Sequence, residues 1–280
     1  WYSDLAVNNS TPAPNVWVLF SAEWFDNSEL SKYVFSWSAS GAGCDTWAND
    51  SVASFSSTNE SWSNISKQIP SACEGKTIHW KIYANDTYSN MNMTEEQSFT
   101  VLDVTPPIPT RTQPTNITYT SNDDINVTFT VTDNIATTVS CNYTLDGVDY
   151  EIGSVPVSVE NVTNISVSNG MHELNVSCVD DYDNVGTSST VFFTLDSEVP
   201  EVNIISPTES NYSTSSVSLT FNVSDNNADY LDCYRRLDGV ETFIGSIQNG
   251  TENTTTMNLA DDYPHKVNVT CSDGVHNTTS

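Results

Sequence analysis

The sequence predicts an all-β chain of three tandem β-sandwich units, the third without its last strand. Three observations carry this. Apolar residues alternate with polar ones at period 2, as in Leu174, Val176 and Cys178 against Asn175 and Ser177, and helical periodicity is absent. A strand-to-turn sentence recurs about every 90 residues: His79–Asn90, His172–Val185 and Lys266–Asn277. Aligned, the copies give Asp86/Asn90, Asp180/Asn184 and Asp273/Asn277, an Asp-x-x-x-Asn just past a strand. Finally, 280 residues divide into three units of ordinary sandwich size.

The first unit, 1-103, should hold strands at Leu5–Asn9, Val16–Trp24, Tyr33–Ser38, Ile65–Ile69, Thr77–Ala84 and Gln97–Leu102, with a glycine-rich loop at Gly41–Cys44. All seven tryptophans fall here: Trp1, Trp17, Trp24, Trp37, Trp47, Trp62 and Trp80. Trp80 alternates with Ile78 and Ile82, the phase of an aromatic core; an exposed platform for sugars is the other reading. The proline-dense Asp103–Pro109 cannot sit in a central strand and reads as a stiff joint.

The second unit, 104-197, reads as strands at Ile125–Thr132, Thr138–Leu145, Val155–Val159, Thr163–Val167, His172–Val179 and Ser189–Leu195. Asp146-Gly147 is a hairpin signal. A second joint lies at Asp196–Pro200. The third unit, 198-280, repeats the second with Ser218–Ser224, Tyr230–Leu237 and Lys266–Ser272. Nothing in it corresponds to Thr190–Leu195, so the edge of Lys266–Ser272 is expected to be open for a strand from another chain or from further sequence.

Composition bounds the function. A net charge of −28 with only 8 Lys+Arg excludes the positive face that nucleic acid and anionic membranes require. No apolar run is long enough to span a bilayer. Trp1–Asp4 does not begin a signal peptide, so the chain reads as a mature or excised piece.

The six cysteines fall two per unit, and even pairing predicts Cys44–Cys73, Cys141–Cys178 and Cys233–Cys271, each contributing about 3–4 kcal/mol by loop closure. Metal binding is the rival, but no Cys-x-x-Cys exists. Nineteen glycosylation sequons begin at Asn8, Asn9, Asn49, Asn59, Asn64, Asn85, Asn92, Asn116, Asn126, Asn142, Asn161, Asn164, Asn175, Asn211, Asn222, Asn249, Asn253, Asn268 and Asn277. The 30 Asn and 72 Ser+Thr would give roughly 8 by chance, so a secreted, N-glycosylated protein is expected.

These features resemble the immunoglobulin-like β-sandwich repeats of prokaryotic, especially archaeal, cell-surface proteins. The residues that carry the likeness are the strand ends Phe25–Asn27, Thr132–Asn134 and Ser224–Asn226, the turn Tyr83–Asn90, the joints Thr105–Pro107 and Glu198–Pro200, and Trp47–Ser51 with Ile82–Asp86. The resemblance implies a non-enzymatic, extracellular surface protein, a subunit of a filament or S-layer whose partners are copies of itself or other surface proteins. An adhesin or stalk, binding glycan or partner through its Trp-rich first unit, is the alternative. An accessory region of a surface hydrolase is a third class. No hydrolase, kinase or dinucleotide signature is present, and the four histidines, His79, His172, His265 and His276, show no shared spacing.

In an immunoglobulin-like topology the Asp-Asn strand ends and the Asp-x-x-x-Asn turns share the end of a sandwich that faces the preceding joint. Asp103, Asp133 and Asp180 then converge at one joint, and Asp196, Glu198, Asp225 and Asp273 at the next, oxygen sets suited to Ca²⁺. The same residues also make Asx turns that need no ion. No cofactor is required on either reading.

Overall fold

The computed structural model describes residues 1–280 apart from 41–42, 57, 122–124 and 261–262. Gly41 and Ala42 of the glycine-rich loop therefore lie outside the described residues.

Among the described residues the strands pair antiparallel apart from Thr118–Tyr119, which runs parallel to Val191–Leu195, and the chain forms tandem immunoglobulin-like β-sandwiches. In the first, Tyr2–Val7, Trp17–Phe25 and Glu60–Gln68 make one sheet. The facing sheet is built on Leu30–Ser40 and Thr77–Asp86, with Thr46–Asn49, Ala53–Ser54, Met91–Met93 and Gln97–Thr100 at its margins. The next sheet pair sets Ile108–Gln113, Asn126–Thr132 and Glu160–Asn164 against a sheet ordered Thr118–Tyr119, Val191–Leu195, Gly170–Val179, Thr138–Leu145, Val148–Pro156. The last pair sets Glu201–Ser206, Ser216–Ser224 and Glu252–Asn258 against Val240–Gln248, Tyr230–Leu237, Val267–Ser272 and Asn277–Thr279. Among the described residues no helix is long and apolar enough to cross a membrane.

Several strands escape the sequence reading, among them Ile108–Gln113, which begins inside the expected joint, Glu201–Ser206 and Glu252–Asn258, and two edge strands do so almost whole. Val148–Pro156 and Val240–Gln248 are exposed edges with few buried side chains, so burial never imposed an alternation on them. The hairpin signal does hold. Asp146 and Gly147 have φ of 51° and 79°, and Asp238 and Gly239 have 51° and 88°, the double left-handed conformation of a tight hairpin.

Each core follows from the strand phase. Val18, Phe20, Ala22 and Trp24 meet Phe35, Ile78, Trp80 and Ile82, all at most 1% exposed. Phe20 lies 5.0 Å from Trp80, edge to face. The aromatic-core reading holds for Trp24, Trp37 and Trp80 but not for Trp1, Trp17, Trp47 and Trp62, which are exposed. Trp17 and Trp62 sit on the outward phase of their strands, where the pleat sends every second side chain to solvent.

The three disulfides form as paired in the sequence, closing separations of 29, 37 and 38 residues, and no described cysteine is free. Cys233 and Cys271 are direct partners across Tyr230–Leu237 and Val267–Ser272, so this bond staples neighbours within one sheet.

By contacts the chain divides into two compact units. One holds residues 1–107 together with the loops 133–139 and 179–186. The other holds 108–132, 140–178 and 187–280. The joints at Asp103 and Asp196 thus each lie inside a single unit with the loops that surround them.

Candidate metal centres at the joints

The carboxylates are placed by strand termination. Where a strand ends at Asp-Asn, the Asp side chain turns back to accept the next backbone N–H groups. Asp133 Oδ1 accepts from Ile135 at 2.8 Å and Ala136 at 2.6 Å; Asp225 Oδ1 accepts from Asn227 and Ala228, both at 2.8 Å. The turn-capping reading is therefore correct for these oxygens. It does not account for the second ones: Asp133 Oδ2 and Asp225 Oδ2 are buried without a hydrogen-bond partner.

The Asp-x-x-x-Asn turns come in two forms. In the first two, Asp Oδ1 accepts two backbone N–H groups and Oδ2 accepts the Asn side chain. Asn90 Nδ2 donates to Asp86 at 2.7 Å and Asn184 Nδ2 to Asp180 at 2.8 Å. That bond from Asn90 holds Asp86 below its ordinary pKa. Ser89 and Asp183 take positive φ to close these turns.

The third copy differs. Gly274 adopts φ +97°, and Asp273 N–H bonds the carbonyl of His276 rather than that of the Asn. Asp273 Oδ1 caps Val275 and His276, but Asp273 Oδ2 is buried without a hydrogen-bond partner. His276 Nδ1 stands 3.7 Å from it, itself buried and unpartnered.

At the first joint Asp103 is 3% exposed. Its Oδ1 accepts Thr105 N–H at 3.1 Å and its Oδ2 has no hydrogen-bond partner. Burial raises its pKa, helped by the neighbouring carboxyl of Glu74 and the charges of Asp133 and Asp180. Burial opposes ionisation of Glu74 as well, but the Val104 N–H and Thr105 hydroxyl hold it below its ordinary value.

At the second joint Asp196 is 4% exposed, with Oδ1 unpartnered. Burial raises its pKa, with repulsion from Asp273 and Asp225 adding and a hydrogen bond from Asn227 opposing. Ligand atoms of Asp196, Asp273 and His276 lie within 4.8 Å of one another.

Of the sequence candidates, Glu198 does not join this set. It is exposed and its Oε1 accepts from Asn169 Nδ2 at 3.1 Å, because two residues past Asp196 the chain has turned outward. His276 was missed. The available signal was its place at the position of Ser89 and Asp183, in the one copy whose inner residues, Gly274, Val275 and His276, replace the tyrosine-centred turn of the other two.

The histidines also correct the sequence reading. His172 and His265 are equivalent, not scattered. Each contacts the hairpin Asp through Nδ1, Asp146 at 2.7 Å and Asp238 at 2.6 Å. Each also contacts a backbone carbonyl through Nε2, leaving no nitrogen for a metal.

No family model matches the chain, and no curated protein matches it. Among solved structures it is similar to the ICAM-5 D1–D4 ectodomain fragment, with TM-score 0.51, 10% identity and coverage of 99% of this chain and 74% of that one. That likeness shows the immunoglobulin-like fold. It also matches chicken CNTN1 FN1–FN3 domains, at TM-score 0.29, 12% identity and 95% and 91% coverage. A third match is the fibronectin(III)-like modules of Clostridium thermocellum CbhA, at TM-score 0.29, 16% identity and 69% and 94% coverage.

Proposed function

We propose that this chain is a non-enzymatic, extracellular structural protein, a glycosylated subunit of a surface filament or layer in which a neighbouring copy completes the third sandwich. The observation that carries the reading is a groove of about 700 Å³ lined by Tyr212, Val217, Leu237, Met257, Leu259 and Val267, among others. It lies where the second sandwich holds Val191–Leu195. There Val191, Phe193 and Leu195 are buried, between Thr118–Tyr119 on one side and Gly170–Leu174 on the other. Tyr119 is 8% exposed in that setting, whereas its counterpart Tyr212 is 45% exposed. Both tyrosines accept an N–H from the residue four before, Thr115 at 2.9 Å and Thr208 at 3.1 Å, so the cradle keeps its form.

The edge expected to be open is partly closed by its own chain, since Asn277–Thr279 pairs Thr270–Ser272 and Ser280 N–H bonds the Val269 carbonyl; Val267 stays outside that pairing. An extended segment with apolar residues at alternate positions fits this groove, whether from further sequence or, on the proposed reading, from a second copy joined head to tail. Such head-to-tail contacts propagate into open assemblies. Disulfides, a chain rich in sequons and the absence of any buried sequon Asn among the described residues support the extracellular setting.

The rival adhesin reading draws on a cleft of about 380 Å³ lined by Trp47, Tyr83, Lys81, Glu96, Asn49 and Ser36. Lys81 Nζ already sits 4.7 Å over the Trp47 ring, so that face is covered. At the first joint, the unpartnered second oxygens of Asp103 and Asp133 support Ca²⁺ as a stiffening ion, while both oxygens of Asp180 are taken by its own turn.

The test is sedimentation of the full chain across concentration, with and without a peptide of sequence Thr190–Leu195. Concentration-dependent polymers that the peptide dissolves are expected. A monomer at every concentration overturns strand donation between copies, and a peptide that neither binds nor raises the melting temperature overturns the groove as a strand acceptor.

A further inference from the structure

The structure assigns a second, chemically different metal site: we propose that Asp196, Asp273 and His276, with Asp225 adjacent, bind a divalent ion that accepts imidazole nitrogen, of the Zn²⁺ class. The argument begins with what is unsatisfied. Asp196 Oδ1, Asp225 Oδ2, Asp273 Oδ2 and His276 Nδ1 are all buried without hydrogen-bond partners. A buried polar group left without a partner destabilises the fold, and more so when charged. Those of Asp196, Asp273 and His276 lie together and call for a common partner, and the Asp273 side chain is fully buried. An acidic turn by itself would not suffice, since Asp86 and Asp180 sit in such turns with both oxygens satisfied by their Asn.

A proton on the imidazole does not resolve the cluster. An imidazolium would donate Nδ1–H to Asp273, yet the two atoms are 3.7 Å apart, beyond a hydrogen bond. In the tetrahedral shell usual for Zn²⁺, ligands about 2.0–2.2 Å from the metal stand about 3.3–3.6 Å apart. The 3.7 Å spacing is close to that separation, and the three ligand atoms lie within 4.8 Å of one another. Three protein ligands that include an imidazole suit Zn²⁺, while Ca²⁺ prefers an all-oxygen shell of 6–8. The equivalent of His276 at the first joint is Asp183, which is exposed, so the difference between the joints is written in one residue.

The ion would tie two separate pieces of chain together, the joint segment at Asp196 and the turn at Asp273–His276, beside the loop at Asp225. It stabilises the folded state because the unfolded chain does not assemble the set. The proposal does not depend on strand donation or on a surface location.

The experiment uses the full chain, freed of metal by a chelator, titrated with Zn²⁺ by calorimetry and with Co²⁺ by visible absorption. The expected result is one Zn²⁺ per chain, a raised melting temperature and Co²⁺ ligand-field bands. His276→Gln should weaken Zn²⁺ by about tenfold or more and abolish the bands, while leaving the folded spectrum intact. Asp196→Asn should do the same, and His265→Gln should change neither. Absence of Zn²⁺ binding, or binding that His276→Gln leaves unchanged, overturns the proposal. Binding lost in His265→Gln places the ion elsewhere and overturns it equally.

Discussion

At the scale of single residues, Asn249 separates a sequon from a glycan site. Its Nδ2 donates to the carbonyls of Asp225 and Ala228 at 2.6 and 2.8 Å, and its Oδ1 accepts Asp225 N–H at 3.0 Å. A glycan on Nδ2 would remove one of these donors. Glycopeptide mapping of natively produced protein should therefore find Asn249 bare, while exposed Asn116 and Asn211 carry sugar. A glycan at Asn249 would show that the clamp does not form. His265 offers a second residue-level outcome. Its pKa is raised, first by the hydrogen bond to Asp238 and then by the Ala260 carbonyl, and Asp238 is lowered by that same bond and by Lys266 N–H. A raised folded pKa means the stabilisation is complete below the ordinary histidine value, about 6.5, and is lost as pH rises through the folded value. Asp238 contributes in the opposite direction: its share is present above the ordinary carboxylate pKa and is lost on acidification through its folded value. Melting temperature followed from pH 6 to 9 should fall for the native chain through this window, and His265→Asn should remove that slope. Equal slopes in both proteins would rule the pair out as its source.

Among elements, the strand ends depend on one close approach. Gly75 has φ +67°, and a Cβ there would stand 2.2 Å from Ile135 Cδ1, inside the unit that holds both residues. Gly75→Ala should destabilise by about 1 kcal/mol or more, from backbone strain and from the clash together. Denaturant melts of Gly75→Ala, Ile135→Ala and the double variant separate the two, because truncating Ile135 relieves the clash and not the φ strain. A neutral Gly75→Ala would mean that the turn reshapes without cost. The paired hairpins at Asp146-Gly147 and Asp238-Gly239 illustrate the same dependence on left-handed positions. There the Asp also receives the histidine of the adjoining strand, Asp146 from His172 and Asp238 from His265, so one residue sets the turn and anchors a neighbour.

For the whole molecule, repetition is the useful fact, because each sandwich serves as a control for the next. The second sandwich shows what fills the groove of the third, and the first two Asp turns show what a satisfied carboxylate looks like. Both functional proposals arise from departures of the third copy from that pattern. They are also separable. Zn²⁺ binding reads the Asp196 end of the third sandwich, and polymer formation reads the groove beside Tyr212 and Val267. Adding Ca²⁺ to the chelated chain and following its melting temperature reads the first joint: a rise that Asp103→Asn abolishes is expected, and no rise in the native chain removes Ca²⁺ from that site.

Strand phase, cysteine pairing and the 90-residue period were legible in the residues themselves, because burial of alternate side chains and covalent pairing are local or countable constraints. Val240–Gln248 was not, since an exposed edge strand owes its place to hydrogen bonds with a neighbour and leaves no apolar pattern. The carboxylates that gather at each joint were readable from topology, but their second oxygens were not. Whether an Asp oxygen is satisfied depends on which side chain the turn brings to it, and that hinges on one left-handed residue, Ser89, Asp183 or Gly274. Only the folded chain shows that Glu198 turns away to Asn169 while His276 turns in. Sequence spacing records neither direction, because side-chain direction is set by backbone conformation and by the packing around it.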